Sequence, residues 1–211
     1  MTIHAASTYF DEDGHPLGYV IGSDSRYKAE DSDTKEEVMG NTEKAIFGSD
    51  FIGVAGGSFI AESLDDFCLQ LEKFGDIFEG IEVGNDYSNH DCLNLELYSF
   101  LIARERENHV DLLAVGKKQN PKGLDHKVRL LHRINKNEMI TSQDRLITVG
   151  SYGDGYAKLE INRPLNLEIA KEVVTGLLVK SVVSISKFGE EYEPGQPNLY
   201  RVGFDGFGRC E

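Results

Sequence analysis

The chain begins Met1-Thr2, and that start gives the threonine a chemistry that no interior threonine has. A small second residue lets the initiator methionine be removed, and Thr2 then carries a free α-amine beside its own hydroxyl. An α-amine titrates near pH ~8, so at neutral pH it can accept the hydroxyl proton and leave an oxygen able to attack a carbonyl. Three further places could support such an attack. Asp24, within Gly22-Ser23-Asp24-Ser25-Arg26, puts a carboxylate at the end of a strand-like run. Lys44 opens the apolar run Lys44-Ala45-Ile46-Phe47. Turned inward it needs a carboxylate partner such as Asp24, and its ammonium lowers the pKa of a nearby hydroxyl or amine. Val54-Ala55-Gly56-Gly57-Ser58 reads as a strand turning into a helix, where backbone N–H groups can hold an oxyanion. Each feature also has a plainer use: a common chain start, a turn former, a lysine snorkelling to solvent, a tight strand–helix junction.

Other motifs point away from alternative chemistries. Gly150-Ser151-Tyr152-Gly153-Asp154-Gly155 follows a strand-like run, but it has neither the lysine of a P-loop nor the spacing of a dinucleotide fingerprint. The three cysteines, Cys68, Cys92 and Cys210, are too few and too scattered for a disulfide framework or a zinc site. They read as reduced thiols in a cytoplasmic protein. His126 and His132 stand six apart, which would put them on one strand face, but that is no ligand spacing. No metal and no cofactor is expected.

The elements that must position these residues follow from pattern. Thr2 to Phe10 and Leu17 to Asp24 form a hairpin around the turn signal Asp11 to Pro16. Ser25 to Asn41 is polar and reads as a solvated loop. Lys44 to Phe47 and Phe51 to Ala55 form a second hairpin about Gly48-Ser49-Asp50. Helices are expected over Ser58 to Phe74 and over Asp91 to Glu107, the latter from the spacing of Leu93, Leu97, Phe100 and Leu101. Strands return at Val110 to Val115, Lys127 to Ile134 and Leu146 to Val149, with Lys117 to Asp125 as a loop. A short helical piece should start at Tyr156. The last helix runs from about Leu167 to Lys187, capped by Asn166 and ended by Gly189, and a strand covers Leu199 to Phe204. Segregated runs of strands and helices of this kind argue α+β.

Composition narrows the partners. With 36 acidic and 22 basic residues the formal net charge is −14, which disfavours nucleic acid and anionic membranes. Apolar residues at 40% suffice for a packed core. No apolar run reaches the roughly 18 residues of a membrane span, and the N-terminus lacks the pattern of a secretory signal.

Taken in order, several segments resemble the proteasome family: its β-type subunits and the related bacterial two-component protease peptidase, which are N-terminal-nucleophile (Ntn) hydrolases using threonine. YVIGSDSR (19–26) resembles the family's second strand with its lysine-orienting aspartate. GNTEKAIFGSDFIGVAGG (40–57) resembles its lysine strand, hairpin and glycine pair. HVDLLAVGKK (109–118) and LITVGSYGDGYA (146–157) resemble its central strand and serine-containing glycine turn. NLEIAKEVV (166–174) and NLYRVGFDGF (198–207) resemble the start of its last long helix and its closing strand.

The resemblance implies an α+β fold: a four-layer αββα sandwich of two packed antiparallel sheets flanked by helices, with residues 1–211 as one domain. It implies Thr2 as nucleophile with its own amine as proton acceptor, Lys44 depressing the pKa of that pair, and Asp24 orienting Lys44. The Gly56 N–H would form the oxyanion hole, and Ser151 would hydrogen-bond near the threonine amine. The family's last helix carries Asp-x-x-Ser; here the serine falls on Ser184 and the aspartate position holds Ser181. The implied activity is peptide-bond hydrolysis on peptides or unfolded proteins inside a homo-oligomeric ring, with an ATP-dependent unfoldase as partner. Two other readings stand beside it: a non-catalytic structural subunit, and a hydrolase of the same chemistry acting on small amides or transferring peptides to an amine. Besides Ser181, the first hairpin departs from the family in being several residues longer. Thr8 restores the usual spacing to Asp24 and is a rival nucleophile, but it would leave only Thr8-Tyr9-Phe10 before the turn. The extra residues Lys187 to Pro197 also depart.

Overall fold

The computed structural model describes residues 3–30, 34, 37–41, 43–56, 98–120, 123–138, 147–151, 155–159, 165–186 and 196–211. Its strands are β1 (Ile3–Phe10), β2 (Pro16–Ser23), β3 (Arg26–Glu30), β4 (Glu37–Asn41), β5 (Ala45–Phe47), β6 (Phe51–Gly56), β7 (Tyr98–Glu105), β8 (His109–Asn120), β9 (Gly123–Asn135), β10 (Ile147–Ser151), β11 (Gly155–Leu159), β12 (Asn198–Gly203) and β13 (Gly206–Arg209). Helix α1 (Leu167–Ser186) lies between β11 and β12 in the chain. The first sheet has the order β11-β10-β1-β2-β12-β13, the second β5-β6-β7-β8-β9, and β3-β4 form a separate ribbon.

Alternation along β1 divides the core. Ala6 joins Tyr19, Ile21, Tyr200 and Val202 against Ile52, Val54, Leu101, Val110, Leu112 and Ile134, so this face of the first sheet packs on the second. Ile3, Ala5 and Tyr9 join Val20 against Leu165, Ala170, Val174 and Leu178, so the other face carries α1. The helix starts as its sequence dictates: the Asn166 side-chain oxygen accepts the Ile169 N–H at 2.9 Å. Just before it, the Leu165 carbonyl accepts the Phe10 N–H at 2.8 Å, which ties the helix entrance to the far end of β1. Farther along, Val174 presses on β2. A Cβ on Gly22 would stand 2.5 Å from the tip of Leu199 and 3.1 Å from Val174, so a side chain there would displace Leu199 and crowd the helix.

This architecture corrects the expected four-layer αββα sandwich. Among the described residues the protein is mostly β, with α1 as a single helix. Tyr98–Glu105, expected inside a helix, is strand β7, paired with both β6 and β8. Its Leu101 and Ile102 are both buried although they alternate in direction. A strand buried on both faces reads as a continuous apolar run, which mimics helical spacing. Tyr156 lies in β11 rather than in a helical piece.

The polar stretches hold more strand than expected. Lys117 to Asp125 is mostly ladder, because β8 and β9 stay paired out to Asn120 and Gly123. With Asn120 paired to Gly123, the stretch is not one long loop. Part of Ser25 to Asn41 forms the β3-β4 ribbon, whose polar composition hid the alternation. The helix expected over Ser58 to Phe74, and the part of the second before Tyr98, lie outside the described residues. The two hairpins, α1 with its cap, and a closing strand agree with expectation; β13 was not anticipated.

Candidate active site

Chain geometry alone brings Asp24 to the start of β1. The β1–β2 hairpin pairs His4 with Ser23, so the next residue of β2 emerges beside Ile3. There the Asp24 N–H donates to the Ile3 carbonyl at 3.1 Å, and the Ile3 N–H donates to Asp24 Oδ1 at 2.8 Å. Two bonds thus fix the carboxylate against the first described residue of β1. Lys44, immediately before β5, reaches across from the second sheet and donates to Asp24 Oδ2 at 3.0 Å. The side chains are 2% (Lys44) and 1% (Asp24) exposed.

Taking both charges out of water costs several kcal/mol per ion, so such a pair persists only with its remaining bonds satisfied. Burial pushes the Lys44 pKa below the ordinary lysine value, and the attraction and hydrogen bond of Asp24 oppose that push without cancelling it. This ammonium holds its proton less firmly than a surface lysine does. Beside Asp24 lies His4, fully buried, with its pKa driven down to about 4 by desolvation against the pull of Asp24. It is neutral at physiological pH. Ser23, paired with His4, is buried too, and its hydroxyl has no hydrogen-bond partner among the described residues.

The other expected residues are placed by backbone. Ser151 pairs with Ile3 from β10, so Ile3 has Ser151 on one side and Asp24 hooked on the other. Gly56 ends β6; because β5 and β6 run antiparallel with Ala45 opposite Val54, it lies at the same end of that pair as Lys44. Ser184 stands in the last turn of α1. The helix runs from the Phe10 end of β1 past Gly22, which pairs with Ala5, and Ser184 lies about 15 Å beyond Val174 along its axis. That brings the last turn toward the Ile3 end. Thr2 lies outside the described residues. Thr8 is buried mid-strand opposite Tyr19, about 17 Å along β1 from Ile3, and so remote from Asp24.

Of the scattered histidines, His132 has a structural role. His132 Nδ1 lies 2.7 Å from the Tyr19 hydroxyl, a bond between the two sheets. A register shift places Leu112 opposite His132 and Leu113 opposite Leu130, so one extra residue interrupts the alternation between His126 and His132. Their even separation therefore does not put them on one face. His4 was missed in the sequence, although its even position in β1, like Ala6, was a signal that it faces inward.

No family model matches the chain, and no curated protein matches it. No helix among the described residues is long and apolar enough to cross a membrane.

Proposed function

We propose that the chain is an N-terminal threonine hydrolase that cleaves peptide bonds, with Thr2 as nucleophile once Met1 is removed. The observation that supports it is the buried Lys44–Asp24 pair bonded to the Ile3 amide. Thr2 is joined covalently to that same nitrogen, and on this reading its hydroxyl and amine act beside the desolvated Lys44 ammonium. Lys44 then stabilises the alkoxide form of Thr2 and lowers the pKa of its amine.

In this mechanism the α-amine takes the Thr2 hydroxyl proton as Oγ bonds to the substrate carbonyl carbon. The Gly56 N–H donates to the resulting oxyanion. Collapse breaks the C–N bond, the ammonium returns its proton to the leaving amine, and an ester to Thr2 remains. Water, deprotonated by the same amine, hydrolyses the ester and regenerates the hydroxyl. Ser151 and Ser184 hydrogen-bond around the amine. Ser181 stands where the resembled family has an aspartate, so that network carries one charge fewer. The substrate is a peptide or unfolded protein, the working form is a homo-oligomeric ring in the cytoplasm, and an ATP-dependent unfoldase delivers substrate.

The test is the intact and N-terminal mass of the purified chain with and without a peptide epoxyketone. Loss of Met1 and a single adduct on the Thr2 peptide is expected. An adduct on Thr8 after loss of residues 1–7 would move the nucleophile. Retained Met1 with no adduct would overturn the hydrolase reading and leave a non-catalytic subunit.

A further inference from the structure

Lys44 enters the core from a weak element. β5 has three residues, stands at the edge of its sheet and, among the described residues, pairs only with β6. Short edge strands fray readily, yet this one must hold an ammonium 3.0 Å from a carboxylate on the other sheet. One side chain of the first sheet touches both flanks of the segment. Tyr200, in β12, is fully buried. Its hydroxyl donates a hydrogen bond to Glu43 Oε1, on the residue preceding Lys44. Its ring meets Phe47, the last residue of β5, edge-on at 79° with centroids 5.5 Å apart. Phe47 is otherwise conspicuous as a large apolar side chain 52% exposed.

We infer that Tyr200 is a positioning residue: with Glu43 and Phe47 it brackets residues 43–47 and thereby sets Lys44 against Asp24. The inference rests on the hydrolase reading for its kinetic consequence, though not for its structural one. Burial and the Glu43 carboxylate keep the phenol well above its ordinary pKa, so it remains a donor at every working pH. The guanidinium of Arg209 stands 4.0 Å from the same Glu43 oxygen, but both side chains are largely exposed and the contact is screened. In this scheme both Tyr200 and Glu43 act through Lys44.

The experiment compares the full chain with Tyr200→Phe, Glu43→Ala, Glu43→Gln and the Tyr200→Phe/Glu43→Ala double variant. Two quantities are read: the rate of adduct formation with a peptide epoxyketone, and the titration of the Lys44 side chain by carbon NMR, assigned with Lys44→Arg. Tyr200→Phe keeps the ring and removes only the donor. It and Glu43→Ala should each slow the reaction by about tenfold, the worth of one hydrogen bond, and the double variant should be no slower than either. Glu43→Gln keeps an acceptor and should stay within about twofold of the parent. A looser Lys44 is better hydrated, so its titration should move up toward the ordinary lysine value in the two disrupting variants only.

Parental rates in Tyr200→Phe, or additive losses with an unmoved Lys44 titration, would overturn the bracket. If the parent itself forms no adduct, the hydrolase reading fails separately, and the Lys44 titration still decides. An upward move in Tyr200→Phe upholds the bracket, and an unchanged midpoint removes it.

Discussion

Asp24 and Asp111 are both 1% exposed, and each is paired with a cation from another strand or sheet. Asp111 is held by the fork of Arg133, with Nε at 2.6 Å and Nη2 at 2.8 Å, and the guanidinium remains partly hydrated. That hydrogen bonding raises the Arg133 pKa and fixes its charge. Asp24 meets a single ammonium hydrogen bond at 3.0 Å, with both groups cut off from water, and there burial lowers the Lys44 pKa. One pair consolidates a charge on a sheet; the other keeps a charge under tension between sheets. Arginine suits the first because it does not deprotonate, and lysine the second because its proton responds to surroundings. Lys44, the cation whose pKa burial lowers, belongs to the pair hooked to the start of β1, where perturbed groups suggest chemistry.

Conservative swaps would break this contrast most sharply. Lys44→Arg keeps the charge but not the compact ammonium, and on the hydrolase reading should slow epoxyketone adduct formation by about 10²-fold or more. Arg133→Lys loses the bidentate fork and should leave that rate within about twofold, while costing about 1–2 kcal/mol in urea unfolding. Equal kinetic losses in the two variants would mean the pairs are not functionally different.

Acid should separate the same two regions. The His4 pKa is about 4 in the folded protein against an ordinary 6.5. The folded state therefore binds fewer protons than the unfolded one between those values. The stability from a neutral His4 is fully present above about pH 6.5 and is lost as pH falls through about 4, a change of about 3 kcal/mol. His109, beside Asp111, also has a lowered pKa, chiefly from burial, but its side chain is 25% exposed, so its share is smaller. Urea midpoints at pH 7, 5.5 and 4 should fall steeply in the parent, nearly as steeply in His109→Asn, and much less in His4→Asn. Equal slopes in all three would remove His4 from the acid response.

Legibility in the sequence followed the range of the physics involved. The first two hairpins and the Asn166 cap are local and were readable from turn residues and capping chemistry. Asp24 and Lys44 were readable as candidate partners because an inward lysine needs a carboxylate, and the resemblance gave the pair a role; nothing in their own neighbourhoods says they meet across two sheets. Strand β7 was misread because burial on both faces erased its alternation. The outer lengths of β8 and β9 and the β3-β4 ribbon were missed because their side chains are polar. Tyr200 was invisible for a different reason, since its importance comes from Glu43, 157 residues away; His4 carried the signal of its even position in β1, but its full burial is created only by the assembled sheets.

The smallest effect asks whether α1 belongs to the site or only to its support. Asn166→Ala removes the side-chain acceptor of the Ile169 N–H and should cost about 1 kcal/mol in urea unfolding, while Asn166→Gly costs only a few tenths. The cap is about 27 Å along the helix from Ser184, so a purely local loss should not reach the last turn. Adduct formation and the Lys44 titration should then be unchanged in Asn166→Ala. If adduct formation slows while Lys44 titrates as before, the helix acts through its own C-terminal turn, and Ser184 becomes the residue to alter next. If Lys44 shifts as well, the disturbance has travelled through Val174 and β2 to Asp24. The difference between the two aspartates would then depend on the layer behind the first sheet as well as on the pairing across it.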